Sequence, residues 1–194
     1  MNWPSVSVVI PTRNRPRLLR QALASVRAQQ YPGLLRAVVV FDQTEPDYGL
    51  ATSDGPPALV LTNWRTPGLA GARNTGILSA DTELVAFCDD DDRWAPDKLR
   101  RQVAALLAEP TAEFATCAIE VEYEGRCTPR LAQRTEVTID ELSRSRMAML
   151  HSSTFLIRHA ALTAEDGIGL VAEDAPGSQN EDWDLLLRAA RRAP

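Results

Sequence analysis

Four short apolar runs, separated by segments with helical spacing, constrain the fold of this chain more than any other feature. The runs are Val6 to Ile10, Ala37 to Phe41, Leu59 to Thr62 and Leu84 to Cys88. A continuous apolar run of this length predicts a strand buried on both faces, which is typical of parallel sheets covered by helices. Strands that alternate with helices predict an α/β sandwich around a mostly parallel sheet.

Helical and further strand patterns fill the rest of the chain. Apolar residues recur at helical spacing from Arg17, and Pro96 is predicted to open a helix at its first turn. Asn180 to Asp182 is typical of the cap of a final helix. In the less regular last third, Phe114 to Val121 and Ser152 to Ile157 are predicted as two more strands.

Charge and hydropathy exclude some classes of protein. The net charge is −5 and the pI is about 5.1, whereas a nucleic-acid binder usually has a basic surplus. The apolar runs are shorter than the ~20 residues of a membrane helix, and the N-terminus lacks a signal-peptide pattern. Three cysteines, Cys88, Cys117 and Cys127, have no metal-site spacing. We therefore expect a cytoplasmic protein with reduced thiols and no nucleic-acid partner.

Polar clusters follow three of the predicted strands. Thr12 to Arg15 comes after the first strand, Asp42 after the second, and Asp89 to Asp92 after the fourth. In an open parallel sheet, ligands bind outside the carboxyl ends of the strands. The three clusters are therefore predicted to converge on one cleft.

Four adjacent acids repel one another, which costs stability unless a cation is shared between them. Mg²⁺ and Mn²⁺ prefer such hard oxygen ligands and often combine one or two carboxylates with phosphate oxygens. The alternative is a solvated acidic turn before a helix, where acids also interact favourably with the helix dipole. For Asp92 both interpretations stay open, whereas the preceding apolar strand favours metal or ligand binding by Asp89 and Asp91.

Three other features each allow two interpretations. Gly68 to Gly76 either lets a phosphate approach the backbone N–H groups, with Arg73 as its charged partner, or forms a tight turn. Glu181 and Asp182 either cap a helix or supply a carboxylate base at the rim of a cleft. His151 either lines the side of the cleft where an acceptor binds or has no role in the site.

Taken in order, these motifs resemble the family 2 glycosyltransferases, which have the GT-A fold. The similar segments are Val6 to Arg15, Val38 to Asp42, Gly71 to Gly76, Phe87 to Leu99 with its Asp-x-Asp pattern, and the late acidic motif Asn180 to Leu185. The family's second strand usually ends in two acids, and Phe41 replaces the first of them here.

The resemblance implies a GT-A, Rossmann-like, three-layer α/β/α sandwich in a single domain over residues 1–194. Residues up to about 100 would form the nucleotide-binding half, and residues from about 101 to 194 the acceptor-binding half. The chain stops just after its last predicted helix, which leaves open whether a C-terminal segment is missing.

The resemblance also assigns roles to individual residues. The residues that would contact the nucleotide-sugar are Pro11, Thr12, Arg13, Arg15, Asp42, Arg73, Asp89 and Asp90. Asp42 would contact the base edge, and Arg73 would lie near the nucleoside or the phosphates. Asp91 would be the ligand of Mn²⁺ or Mg²⁺, and Asp182 would be the general base of an inverting enzyme.

The function implied is transfer of a sugar from a nucleotide-diphosphate donor, with UDP or dTDP as its nucleotide, to an acceptor hydroxyl. Single addition is favoured, because the sequence lacks the Gln-x-x-Arg-Trp motif and membrane helices of the family's processive polymerases. Peripheral attachment to the inner membrane face is also open. The alternatives are an inactive nucleotide-binding protein and a nucleotidyltransferase. The latter should carry glycine and lysine in the loop Pro11 to Pro16, which has neither.

Overall fold

A central sheet of six strands dominates residues 2–51, 56–175 and 180–192, which are the parts of the chain that the computed structural model describes. The strands in chain order are β1 (Val6–Thr12), β2 (Leu35–Phe41), β3 (Ala58–Thr62), β4 (Leu84–Phe87), β5 (Phe114–Ala115), β6 (Ile119–Tyr123), β7 (Arg126–Arg130) and β8 (Leu156–Arg158). The order across the sheet is β3-β2-β1-β4-β8-β5, and β6 pairs with β7 in a separate hairpin. The three pairs formed among β1 to β4 are all parallel. Strand β8 is antiparallel to both of its neighbours, β4 and β5.

Helices cover both faces of this sheet. They are α1 (Pro16–Arg27), α2 (Leu69–Ser79), α3 (Lys98–Ala108), α4 (Ile139–Arg144), α5 (His159–Thr163) and α6 (Glu181–Arg192). Apolar residues of α1 and α3 belong to one core, and those of α2, α5 and α6 to the other. The predicted three-layer α/β/α sandwich is confirmed. Within the described ranges, no helix has both the length and the apolar character needed to cross a bilayer.

Strand β1 shows why the apolar runs are continuous. Successive side chains of a strand point to opposite faces, so a strand between two helical layers is apolar at every position. Val8 and Ile10 belong to the core on the α1 and α3 side, whereas Val9 belongs to the core on the α2 side. Gly76 of α2 lies directly against Val9, because a Cβ added there would be 2.3 Å from Val9 Cγ1.

Two strand predictions in the last third were wrong. The segment Phe114 to Val121 is not one strand, because only β5 joins the central sheet, and β6 belongs to the hairpin. The segment Ser152 to Ile157 begins with a 3₁₀ turn, Ser152–Thr154, and only then enters β8. Hydroxyl side chains compete with strand pairing by bonding nearby backbone, and Thr154 Oγ1 donates to His151 O at 2.7 Å.

The helix predicted to open at Pro96 starts later, at Lys98. The residues before it form a turn in which Lys98 N donates to Ala95 O at 3.1 Å. The carbonyl of Pro96 is used elsewhere, since it accepts a hydrogen bond from Gln30 N at 2.8 Å. The acidic segment is therefore separated from α3 by several non-helical residues.

The loop that precedes α6 is fastened to α2 by Asn74. The Asn74 amide donates to Val171 O at 2.8 Å and to Glu173 Oε1 at 2.7 Å, and it accepts from Val171 N at 2.9 Å. Burial raises the pKa of Glu173, but hydrogen bonds from Asn74, Thr66 and Arg65 outweigh it and lower the pKa to about 2. Glu173 therefore remains ionised in the folded protein down to strongly acidic pH.

Gly76→Ala is expected to lower the free energy of unfolding by about 1–3 kcal/mol, because the added methyl group overpacks the contact with the stiff Val9 side chain. Urea denaturation measures the change. Leu78→Ala on the same helix is the control, since Leu78 is 42% exposed and its truncation should cost about 0.5 kcal/mol or less. Equal changes in the two variants would contradict close packing at Gly76.

Glu173→Gln is expected to destabilise the protein at neutral pH and to lose that effect as the pH falls. A carboxylate whose folded-state pKa is depressed contributes stability above its unfolded pKa, and protonation removes the contribution. The difference in unfolding free energy from wild type should be full above pH about 4.5 and should shrink towards pH about 2. Denaturation curves across this pH range measure it, with Asp174→Asn at the exposed neighbouring position as the control. A difference independent of pH would argue against an ionised Glu173 anchor.

Candidate active site

The carboxyl ends of the parallel strands bring the predicted polar clusters to one edge of the sheet. Thr12 at the end of β1 donates to Asp90 Oδ2 at 2.8 Å. Asn63, directly after β3, donates to Asp42 Oδ1 at 2.8 Å. A cleft of about 780 Å³ opens beside this edge, and its lining includes Thr12, Arg15, Phe41 and Gln43. Pro11 is buried at the end of β1, and Arg13 is exposed in the loop after it.

Asp42 is held in place by donors from three sides. Its carboxylate accepts hydrogen bonds from Asn63, from Gly68 N at 3.0 Å and from Gln43 Nε2 at 3.0 Å. Burial raises the pKa of Asp42, but these hydrogen bonds outweigh it and hold the pKa below its usual value. Gly68 has a φ of 120°, a conformation that favours glycine and that brings its N–H to the carboxylate. Asp42 is therefore a fixed, ionised acceptor beside the cleft.

Arg15 closes the first loop onto the acidic segment. Its guanidinium lies 3.2 Å from Asp90 Oδ1 and 2.9 Å from Asp91 Oδ2. The side chains of Arg15 and Asp91 are both about half exposed, whereas Asp90 is buried. Asp91 therefore forms an exposed ion pair in this structure, and its role as metal ligand stays a prediction.

A group with the composition of a metal site forms beside that ion pair. Asp89, Asp92 and His151 each place one ligand atom within 4.8 Å of the others. The closest approach of His151 Nδ1 to Asp92 Oδ2 is 4.0 Å. Burial raises the pKa of Asp92, although a hydrogen bond from Ser153 opposes it. Two carboxylates and an imidazole at this spacing fit a divalent cation such as Mn²⁺ or Mg²⁺.

Arg73 lies beneath the acidic segment instead of lining the cleft. Its side chain is 2% exposed, and its guanidinium contacts Asp89 Oδ1 at 2.8 Å, Ser152 Oγ at 2.8 Å and Glu181 Oε1 at 2.6 Å. Burial raises the pKa of Asp89, but the charge and hydrogen bond of Arg73, together with the hydrogen bond of Ser152, outweigh it and lower the pKa. Arg73 thus holds Asp89 ionised from below, and its direct contact with a donor stays a prediction.

Two serines that carried no functional assignment from sequence hold Asp89 from the other side. Ser152 Oγ donates to Asp89 Oδ2 at 2.8 Å, and Asp89 N donates to Ser153 Oγ at 2.8 Å. Gln102 of α3 supports the turn that carries them, since its amide donates to Thr154 O at 2.7 Å. The only sequence feature that pointed to these two serines was the run of hydroxyl residues after His151. Serine is so common in turns that its presence there does not identify a functional residue.

Asp182 lies in the first turn of α6, with 16% of its side chain exposed. Asn180 does begin the helix, as the cap interpretation predicted, because its backbone carbonyl accepts the first helical hydrogen bond, from Asp184 N at 2.9 Å. The Asn180 side chain does not cap the helix, since its Oδ1 accepts from Arg146 at 2.6 Å. Glu181 points into the interior to Arg73, so the helix start brings Asp182 to the same region as the acidic segment.

Comparisons with known proteins agree with this arrangement. Residues 7–164 match the family model described as Glycosyl transferase family 2. The UDP-Glc:alpha-D-GlcNAc-diphosphoundecaprenol beta-1,3-glucosyltransferase WfgD of Escherichia coli is 34% identical over 106 residues, which are 53% of this chain and 41% of that protein. The chain therefore spans less than half the length of this curated relative.

Three solved structures share the fold. The Staphylococcus aureus TarS 1–349 structure has a TM-score of 0.71 at 23% identity, over 95% of this chain and 55% of that one. Its complex with UDP-GlcNAc has a TM-score of 0.62 at 26% identity, over 81% and 46%. The mannosyltransferase PcManGT of Pyrobaculum calidifontis, in complex with GDP-Man and Mn²⁺, has a TM-score of 0.58 at 25% identity, over 84% and 47%. With a family model that matches most of its length and a GT-A fold around the predicted motifs, this chain belongs to glycosyltransferase family 2.

Proposed function

We propose that this chain transfers a sugar from a nucleotide-diphosphate donor to an acceptor hydroxyl, with inversion and one addition per donor. The observation that carries the proposal is the shared contact of Arg73 with Asp89 and Glu181. This contact holds the acidic segment next to the start of α6, where Asp182 lies. The two parts that glycosyl transfer requires, a site for the donor's diphosphate and a carboxylate base, are thereby adjacent.

The donor's nucleoside would lie over the ends of β1 and β2. Asp42 is an ionised acceptor, and the ring N3–H of uracil or thymine is a donor of matching type. Thr12, Arg13 and Arg15 would surround the ribose and phosphates, with Pro11 shaping the loop. A UDP- or dTDP-sugar fits this set, and WfgD is named for UDP-Glc and TarS was solved with UDP-GlcNAc.

The diphosphate would lie against the acidic segment, together with a divalent cation. A bound Mn²⁺ or Mg²⁺ would stabilise the charge that develops on the leaving diphosphate. Asp89, Asp92 and His151 already form a group that fits such an ion. Asp91 would join it by leaving Arg15, because an exposed ion pair is worth only about 0–1 kcal/mol.

Asp182 would act as the general base. Its carboxylate would accept the proton of the acceptor hydroxyl as that oxygen attacks the anomeric carbon from the face opposite the diphosphate. A positioned base of this kind typically contributes about 10²–10⁴-fold to the rate. Glu181 is not available for this role, because its buried carboxylate is bound to Arg73.

The acceptor would be a sugar hydroxyl on a lipid-linked carrier. WfgD is named for an acceptor attached to diphosphoundecaprenol. An enzyme with such an acceptor would work at the membrane surface, which is compatible with peripheral attachment to the inner face. The division into a nucleotide half up to about residue 100 and an acceptor half after it belongs to the same proposal.

A donor screen tests the proposed function directly. The protein is incubated with UDP-, dTDP- and GDP-sugars plus Mn²⁺, and release of the nucleoside diphosphate is followed over time. Slow release from a UDP- or dTDP-sugar, with water as acceptor, is the expected result. Tight nucleotide binding without turnover of any donor would favour the inert nucleotide-binding alternative.

Asp91→Ala is expected to abolish Mn²⁺-dependent binding of UDP, because it removes a proposed ligand of the ion that the diphosphate shares. Calorimetric titration with UDP, with and without Mn²⁺, measures the loss. Asp97→Ala is the control, since Asp97 pairs with Arg101 in the same region of the chain. Retained binding in Asp91→Ala together with lost binding in Asp92→Ala would instead place the ion within the Asp89, Asp92 and His151 group.

Asp182→Asn is expected to bind donor normally but to lower turnover by about two orders of magnitude or more, because the amide cannot accept the acceptor's proton. Initial rates and UDP affinity are measured on the same preparation. Asp184→Asn, two residues further along α6 and paired with Arg188, is the matched control. Wild-type turnover in Asp182→Asn would remove this residue from the mechanism.

A further inference from the structure

The guanidinium of Arg146 contacts the carboxylate that we propose as the base. Arg146 lies in the loop after α4, and its Nη2 donates to Asp182 Oδ1 at 3.4 Å. Its Nη1 donates to Asn180 Oδ1 at 2.6 Å, so a second anchor holds the guanidinium against the start of α6. This residue had no role in the resemblance or in the motifs read from the sequence.

The three acidic residues in the first turn of α6 each form an ion pair with a different arginine. Glu181 pairs with Arg73 at 2.6 Å, and Asp184 pairs with Arg188 at 2.8 Å. The side chain of Arg73 is 2% exposed and that of Arg188 is 26% exposed, whereas that of Arg146 is 57% exposed. The partner of Asp182 is therefore the most exposed of the three arginines and contributes little to the core.

The two oxygens of Asp182 have different surroundings. Oδ1 accepts both the Arg146 guanidinium and the backbone N–H of Trp183, the latter at 2.8 Å. Within the described parts of the chain, no hydrogen-bond donor contacts Oδ2. The carboxylate is thus fixed through one oxygen and free at the other.

We infer that Arg146 is a positioning residue, which holds Oδ1 of Asp182 so that Oδ2 faces the acceptor hydroxyl. This role rests on the proposed function. A general base must come within about 2.6–3.2 Å of the proton it takes, and a misplacement of about 1 Å costs about 10²-fold in rate. A planar guanidinium can bridge Asn180 and Asp182 at once, whereas the single ammonium of lysine makes a poorer bridge.

The test compares Arg146→Ala, Arg146→Lys and Arg144→Ala in the full chain with Mn²⁺ and UDP-glucose, following UDP release with water as acceptor. Arg146→Ala should lower kcat by about tenfold to a hundredfold, with the KM for UDP-glucose and the affinity for UDP unchanged. Arg146→Lys should recover part of that loss. Arg144, which is 75% exposed and pairs with Asp140 inside α4, is the matched control and should keep wild-type kcat.

Recovery of kcat by added methylguanidine distinguishes the positioning role from a purely structural one, which the small molecule would not restore. Methylguanidine should restore kcat to Arg146→Ala in a saturable manner and leave Arg144→Ala unchanged, while thermal unfolding shows both variants folded. Wild-type kcat in Arg146→Ala, or a fall in kcat matched by lost UDP affinity, would overturn the positioning role. If the wild-type protein neither binds UDP nor releases it from UDP-glucose, the proposed function itself fails, which is a distinguishable result.

Discussion

The buried guanidinium of Arg73 is the interaction on which the rest of the site depends. A cation that is 2% exposed requires paired anions, because an uncompensated charge in the interior is strongly unfavourable. Asp89 and Glu181 supply them, one from the end of β4 and the other from the start of α6. The cost of separating this guanidinium from its partners fixes the distance between the end of β4 and the start of α6.

Helix α2 extends this constraint to the other loops. Consecutive side chains at its centre reach different segments: Arg73 the acidic segment and α6, Asn74 the loop at Val171, and Thr75 the amide oxygen of Asn63 at 2.9 Å. Asn63 in turn donates to Asp42, so α2 also fixes the position of the carboxylate after β2. The helix can serve as this common support because Gly76 allows it to lie directly on β1.

Sequence was sufficient where the signal was local and periodic. The four apolar runs gave the parallel strands, and the rule that ligands bind at strand ends gave Thr12, Asp42 and the acidic segment as neighbours. It was insufficient where the partner is distant in the chain, since Arg73 meets Glu181 across 108 residues and Asn74 meets Glu173 across 99. It also failed at Ser152–Thr154, where hydroxyls that bond Asp89 and nearby backbone gave a turn in place of a strand.

The arginines that form ion pairs in the site differ in the exposed fraction of their side chains. Arg73 is almost fully buried, and it holds Asp89 and Glu181 in fixed positions. Arg15 and Arg146 are both more than half exposed and pair with acids of different segments, Asp91 after β4 and Asp182 at the start of α6. Exposed pairs contribute only about 0–1 kcal/mol, so the proposed cation can displace Arg15 from Asp91 at little cost, whereas Arg146 is also anchored to Asn180 and would stay against Asp182. On the proposed function, the buried Arg73 group would keep Asp89 and Glu181 in place while the exposed contact at Asp91 exchanges its partner.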